Sequence, residues 1–172
     1  MDADVPVVES GGKEDFFYEN KPGELYPPAK VDRVLHDGDT VKLADTVLTA
    51  HLTPGHTKGC TTWTMKVEEN DKSYDVVIVG SPNVNEDYKL VNNTAYPQIA
   101  ADYEEMFRVL RSLHCDVFLG AHGNYYAMEK KYAQLAKDGQ NPFIDPEGYK
   151  NYVDERERTV RAELAWQEAK KQ

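Results

Sequence analysis

The sequence is short of cysteine, of basic charge and of long apolar runs, and each shortage removes a class of protein. Two cysteines, Cys60 and Cys115, stand in 172 residues. That is too few for a disulfide scaffold; the two can pair, but thiols at this density read as free and buried, so the redox compartment stays open. Lys and Arg number 20 against 30 Asp and Glu, a formal net charge of -10. Nucleic acid and anionic membrane surfaces are thereby excluded as partners, since both need clustered basic residues. The acidic excess is spread thinly, as on a solvated surface. No apolar stretch approaches the roughly 18 residues of a membrane span, and there are no internal repeats or low-complexity tracts. Met1 is followed by Asp2, Ala3 and Asp4, without a basic segment and an apolar segment behind it, so no signal peptide is expected in the chain as written. What is present is 40% hydrophobic residues, enough for one domain with a sizeable core.

Residues 1–30 carry Gly11, Gly12, Pro22, Gly23, Pro27 and Pro28, which break any period and suggest an irregular surface excursion. From 31 to 80 the pattern predicts a β-meander of about five strands. The first two are Val31–Leu35 and Thr40–Leu43, joined as a hairpin by Asp37-Gly38. Val47–Leu52, Thr61–Val67 and Tyr74–Val79 follow, the last apolar enough to be buried on both faces. Residues 81–97 are a polar, Asn-rich loop. The remainder, 98–172, predicts helices with one short strand. A helix over Pro97–Leu113 carries Ile99, Tyr103, Met106, Phe107 and Leu110 on one face. The strand Asp116–Gly120 comes next, then a helix over Ala127–Lys137. A last helix is N-capped by Asp145, with Pro146 at its first position, and runs to about Lys170. The order predicts an α+β fold: one mainly antiparallel sheet with helices on one face. The other face would lack a cover within this chain.

Two histidines sit at strand ends beside small residues. In Thr53-Pro54-Gly55-His56-Thr57-Lys58-Gly59 a tight turn projects His56 from a rigid strand end, as a zinc ligand requires. In Ala121-His122-Gly123-Asn124 the histidine follows a buried strand in the same way. Each alone also reads as an ordinary turn histidine. His36, His51 and His114 read as structural. Ser81 follows Val76–Gly80 and lacks a Gly-x-Ser-x-Gly setting or a nearby base, so it reads as a polar contact or turn residue rather than a nucleophile.

Taken in order, Thr53–Gly59, Trp63, Gly80-Ser81, Tyr96-Pro97, Asp102-Tyr103, Cys115-Asp116 and Gly120–Gly123 resemble the metallo-β-lactamase superfamily, and its third β-lactamase subclass most closely. The resemblance runs over essentially the whole chain and implies the C-terminal half of a four-layer αββα sandwich. It implies that His56 and His122 ligate zinc, one in each of two metal sites. Ser81 resembles the subclass residue that helps bind the antibiotic's carboxylate. Tyr88 and Asn93 resemble residues of that pocket, and Asn83 falls where the family often has a second serine. Cys115 resembles one half of a family disulfide whose partner would fall near Gly148 or Tyr149, where no cysteine stands. The family's His-x-His-x-Asp-His motif, which brings the other four ligands, occurs nowhere in the chain.

The implied function is zinc-dependent hydrolysis of β-lactams by a complete, periplasmic or secreted protein, with this chain alone inactive. A lactonase-like hydrolase of the same superfamily is the second reading, and Ser81 counts against it. A non-catalytic half-domain that self-associates is the third. The implied partners are an N-terminal half bearing the absent motif, or a second copy meeting the bare sheet face.

Overall fold

The computed structural model describes residues 1–135 and 141–170. Five strands, β1 (Thr40–Leu43), β2 (Thr46–Leu52), β3 (Thr61–Glu69), β4 (Lys72–Val79) and β5 (Val117–Gly120), form one sheet in the order β1-β2-β3-β4-β5. The first four are antiparallel neighbours, and β5 joins β4 in parallel. Four α-helices accompany it: α1 (Val5–Ser10), α2 (Ile99–Ser112), α3 (Met128–Gln134) and α4 (Pro146–Ala169). The fold is α+β, as the order of elements predicts.

Alternation along the strands divides the sheet into two unlike faces. Val77, Val79 and Phe118 face the helices, where they join Ile99, Tyr103, Met106, Phe107 and Leu110 of α2 with Tyr149, Val153 and Val160 of α4 in one buried cluster. On the opposite face, register sets Trp63 between Ala50 and Ile78, Met65 beside Val76, Val67 beside Tyr74, and Ile78 beside Leu119. Nearly every residue there is apolar, yet Trp63, Met65, Val67, Tyr74, Ile78, Val117 and Leu119 are only half-buried. The described residues form no second sheet to cover them.

The helix predictions hold with small shifts. Asp145 caps α4 through its side chain, accepting from the Gly148 N–H at 2.8 Å, and it also pairs with the buried amine of Lys131 at 2.7 Å. The expected end of the preceding helix at Lys137 lies outside the described residues. Cys60 and Cys115 are free and buried; burial pushes the Cys115 thiol up to about 12.

Two expectations are corrected. Val31–Leu35 is not a strand. The Asp37-Gly38 turn docks on β2 instead of folding a hairpin: the Asp37 carboxylate accepts from the Leu52 N–H at 2.8 Å, and the Gly38 N–H donates to the Ala50 carbonyl at 2.8 Å. The preceding segment is therefore led off the sheet edge, touching β1 through Arg33, which donates to the Thr40 carbonyl at 3.0 Å. Residues 1–30 are also more ordered than their glycines and prolines suggest. They include α1 and two short 3-10 turns, Asp2–Asp4 and Pro22–Glu24. Phe16 and Phe17 pack edge-on against Tyr88, with ring centroids 5.1 and 4.6 Å away, so apolar burial ties the segment down.

Candidate functional site

Four strand ends meet at one edge of the sheet. Leu52 at the end of β2 pairs with Thr61 at the start of β3, which leaves 53–60 as the loop between them. In the parallel pair, Val79 of β4 stands beside Gly120 of β5. Ser81 and His122 each follow two residues beyond this last pair. The Ala121 N–H continues the ladder to the Val79 carbonyl at 2.9 Å. Gly80 is required here, because a Cβ would lie 2.5 Å from the Thr61 carbonyl oxygen.

The loop that carries His56 is rigid. Gly55 has φ +134°, and a Cβ on it would meet the Tyr103 ring at 2.8 Å, so only glycine fits. From the N-terminal segment, the Asp4 carboxylate accepts from the Thr57 hydroxyl at 2.6 Å and the Gly59 N–H at 2.8 Å. The Tyr88 hydroxyl donates to the His56 carbonyl at 3.1 Å.

Within this frame His56 Nδ1 lies 2.9 Å from the Asn83 carbonyl oxygen. A carbonyl only accepts, so Nδ1 carries the hydrogen and Nε2 keeps its lone pair. Burial holds the imidazole below its ordinary value, while the Asn83 contact works the other way. The neutral ring with a free Nε2 is the form that ligates a metal. His122 is exposed at the mouth of the site, edge-on to Tyr125 at 5.1 Å, and a charge on it is felt at His56.

The carbonyl of Asn83 also accepts from the Tyr103 hydroxyl at 2.7 Å. Its side-chain amide donates to the Tyr125 hydroxyl at 2.8 Å and accepts from Arg156 Nη1 at 3.2 Å. Ser81 Oγ lies 3.2 Å from the Tyr125 hydroxyl. The structure thus brings His56, His122, Ser81, Asn83 and Tyr88 together. Tyr88 is 3% exposed, a buried brace against the His56 ring at 5.9 Å. Asn93 does not join them. Its amide is taken up by its own loop, accepting from Ala95 and Tyr96 N–H at 3.1 and 2.8 Å and donating to the Lys89 carbonyl at 3.0 Å.

Tyr125 and Arg156 escaped the sequence reading. Arg156 had a signal: it falls on the helical stripe of Tyr149, Tyr152, Val153 and Val160, where a solvated arginine would not be placed. Tyr125 had only its position three residues after His122. A groove between loop 84–92 and the C-terminal part of α4 includes neither histidine. At the opposite end of β4 and β5, ligand atoms of Asp75, His114 and Asp116 lie within 4.8 Å of one another. Lys66 pairs with one of its two carboxylates, 2.5 Å from Asp75, and the group stands about 20 Å along the strand from Ser81 at ~3.3 Å per residue.

Comparison with solved structures identifies the architecture. The chain matches the FEZ-1 metallo-β-lactamase of Legionella gormanii at 52% identity and TM-score 0.96, over 98% of this chain and 64% of that one. BJP-1, a subclass B3 metallo-β-lactamase of Bradyrhizobium japonicum, matches at 35% identity and TM-score 0.89, over 99% and 63%. The class B3 di-zinc enzyme LRA-12 from an Alaskan soil metagenome matches at 30% and 0.82, over 93% and 60%. No protein-family model matches the sequence. Half-identical sequence laid on a coincident backbone, with strand-end histidines at one sheet edge, places the chain in the metallo-β-lactamase superfamily. Within it the chain belongs with subclass B3 and corresponds to the C-terminal part of those proteins, spanning less than two thirds of their length.

Proposed function

We propose that this chain is part of a zinc-dependent β-lactam hydrolase, completed by an N-terminal part that carries His-x-His-x-Asp-His. One observation carries the reading: the Asn83 carbonyl fixes the His56 tautomer and leaves Nε2 free. Imidazole suits zinc, and a carbonyl behind the ring is the usual way to hold such a ligand in place. His56 and His122 are the chain's zinc ligands. Ser81 is a substrate contact and Asn83 holds it in place, while Tyr88 and Tyr103 keep the His56 loop rigid. Zinc bound there supplies Lewis acidity and a water with a pKa near 7. On this reading the complete protein works in the periplasm or as a secreted enzyme and contributes to antibiotic resistance.

The chain alone offers two imidazoles, against the three protein ligands of a catalytic zinc site. It therefore binds zinc weakly and turns over no β-lactam. Addition of the N-terminal part as a separate polypeptide restores about two zinc ions and nitrocefin hydrolysis. His56→Ala and His122→Ala each block that rescue, whereas His36→Ala and His114→Ala do not. Tight zinc binding or nitrocefin turnover by the 172-residue chain alone would show that its ligands come from elsewhere, and the Asp75, His114 and Asp116 group is then the first to mutate.

The open apolar face of the sheet supports a second statement. A patch of Trp63, Met65, Val67, Ile78 and Leu119 is larger than single exposed hydrophobics, and it favours a chain that pairs through this face. The partner is the N-terminal part when it is present and a second copy when it is not.

A further inference from the structure

We infer that Arg156 and Tyr125 are positioning residues that aim the Ser81 hydroxyl at an anionic group of the substrate, through a one-way relay of hydrogen bonds. The inference rests on the hydrolase reading above for the identity of the substrate, but the relay itself does not.

The direction of the first two steps follows from what each group can donate. A guanidinium has donors only, so the side-chain oxygen of Asn83 faces Arg156 Nη1 at 3.2 Å. The amide nitrogen is then turned to the Tyr125 hydroxyl and donates to it at 2.8 Å. Tyr125 has one hydrogen, and Ser81 Oγ lies 3.2 Å away; either hydroxyl could donate, and we assign the donor role to Tyr125. Ser81 is thereby supplied with a donor from behind, and its own hydrogen is free to point outward from the strand end. An acceptor, above all a carboxylate, is the partner that such a hydroxyl suits.

Packing keeps the relay in one arrangement. The Tyr125 ring stacks on Tyr152 of α4, 5.2 Å between centroids and 29° between planes. It also fills the space beside Gly120, where a Cβ would come within 2.9 Å of it. Arg156 is held from the other side by Glu155, which takes Nη2 at 2.6 Å. This half-buried guanidinium, paired with Glu155, is the charged donor behind Asn83. It reaches the site through Asn83.

The test uses the zinc-loaded protein with its N-terminal part, assayed on a carboxylate-bearing cephalosporin and on the methyl ester of the same compound. Tyr125→Phe keeps the ring and its stack and removes one oxygen; circular dichroism checks that it folds. Tyr125→Phe and Arg156→Gln should each lower the acid-to-ester ratio of kcat/KM about tenfold, the worth of one charge-assisted hydrogen bond. The loss should fall mainly on KM for the acid. In a Ser81→Ala background, Tyr125→Phe should change the ratio no further. An unchanged ratio, or equal loss on both compounds, overturns the inference. If the unmutated protein turns over neither compound, the hydrolase reading fails, and the relay is judged on the 172-residue chain by NMR. There the Asn83 side-chain amide signals should move in both variants, and signals that stay put overturn the relay.

Discussion

Ser81 and His51 show how one side chain's surroundings decide what it can do. Ser81 lies 3.2 Å from the Tyr125 hydroxyl and follows the end of β4, as His122 follows the end of β5, but a neutral hydroxyl competes poorly with imidazole for zinc. In the complete protein Ser81→Ala should therefore raise KM severalfold while kcat changes less, with zinc content unaltered. Loss of stoichiometric zinc from that variant would make Ser81 a ligand instead. His51 is a structural histidine on the helix-facing side of β2, its Nε2 2.8 Å from the Thr64 hydroxyl. Burial lowers its pKa, with Asp37 pulling the other way. The unfolded chain thus takes up a proton before the folded one does as the pH falls. Stability from this source is intact above about pH 6.5, the unfolded value, and is lost below it until the folded value is passed. Urea unfolding between neutral and mildly acidic pH should show a shallower pH slope for His51→Gln than for the unmutated chain; equal slopes would assign the effect to His56 alone.

Among the elements, α4 shows the most dependence on a single residue. Asp145 caps its first turn and is the counter-ion of Lys131, which is 8% exposed. Removing the partner of a buried charge costs about 3 kcal/mol or more, and losing an N-cap costs roughly 1 kcal/mol. Asp145→Ala should be the worse change and Asp145→Asn the milder by about the worth of the cap, since asparagine still accepts from Gly148. Equal midpoints in urea for the two variants would mean that the cap contributes nothing. Both α4 and its tyrosines matter to the site, because Arg156 and Tyr152 reach Asn83 and Tyr125 from this helix.

For the molecule as a whole, the feature to test is the half-buried apolar face of the sheet. Residues Trp63, Met65, Val67 and Ile78 lie in register across adjacent strands, so their exposed surfaces merge into one patch rather than standing apart. The isolated chain should sediment as a dimer or larger at tens of micromolar, and the N-terminal part should dissolve that assembly into a one-to-one complex. Met65→Lys with Ile78→Lys should leave the helix-side core intact and abolish both associations. A monomer with the unmutated face at those concentrations would overturn the expectation.

Much of this was present in the residues themselves. Periodicity located β2 to β5 and the buried face of α2, because alternation and 3.6-residue spacing are local properties of a chain that buries one side. The Asp145-Pro146 start of α4 and the Gly55 turn are likewise local, set by capping and by φ. His56, Ser81 and His122 stood out for the same reason, each following a strand and lying beside small residues. What local reasoning misjudged was decided by partners far along the chain. Asp37-Gly38 looks like a hairpin turn until β2 offers it Leu52 and Ala50. Residues 1–30 look irregular until Tyr88 and Gly59 give Phe16, Phe17 and Asp4 something to hold. Asn93, set in the pocket by resemblance, is spent on its own loop. The joining of Arg156, Asn83, Tyr125 and Ser81 spans up to 75 residues of sequence (81 to 156) and depends on the parallel register of β4 and β5. Residue type determined which groups can donate, accept or ligate; only the tertiary structure decided which of them meet, because hydrogen bonds act over about 3 Å and the fold alone brings such distant residues that close.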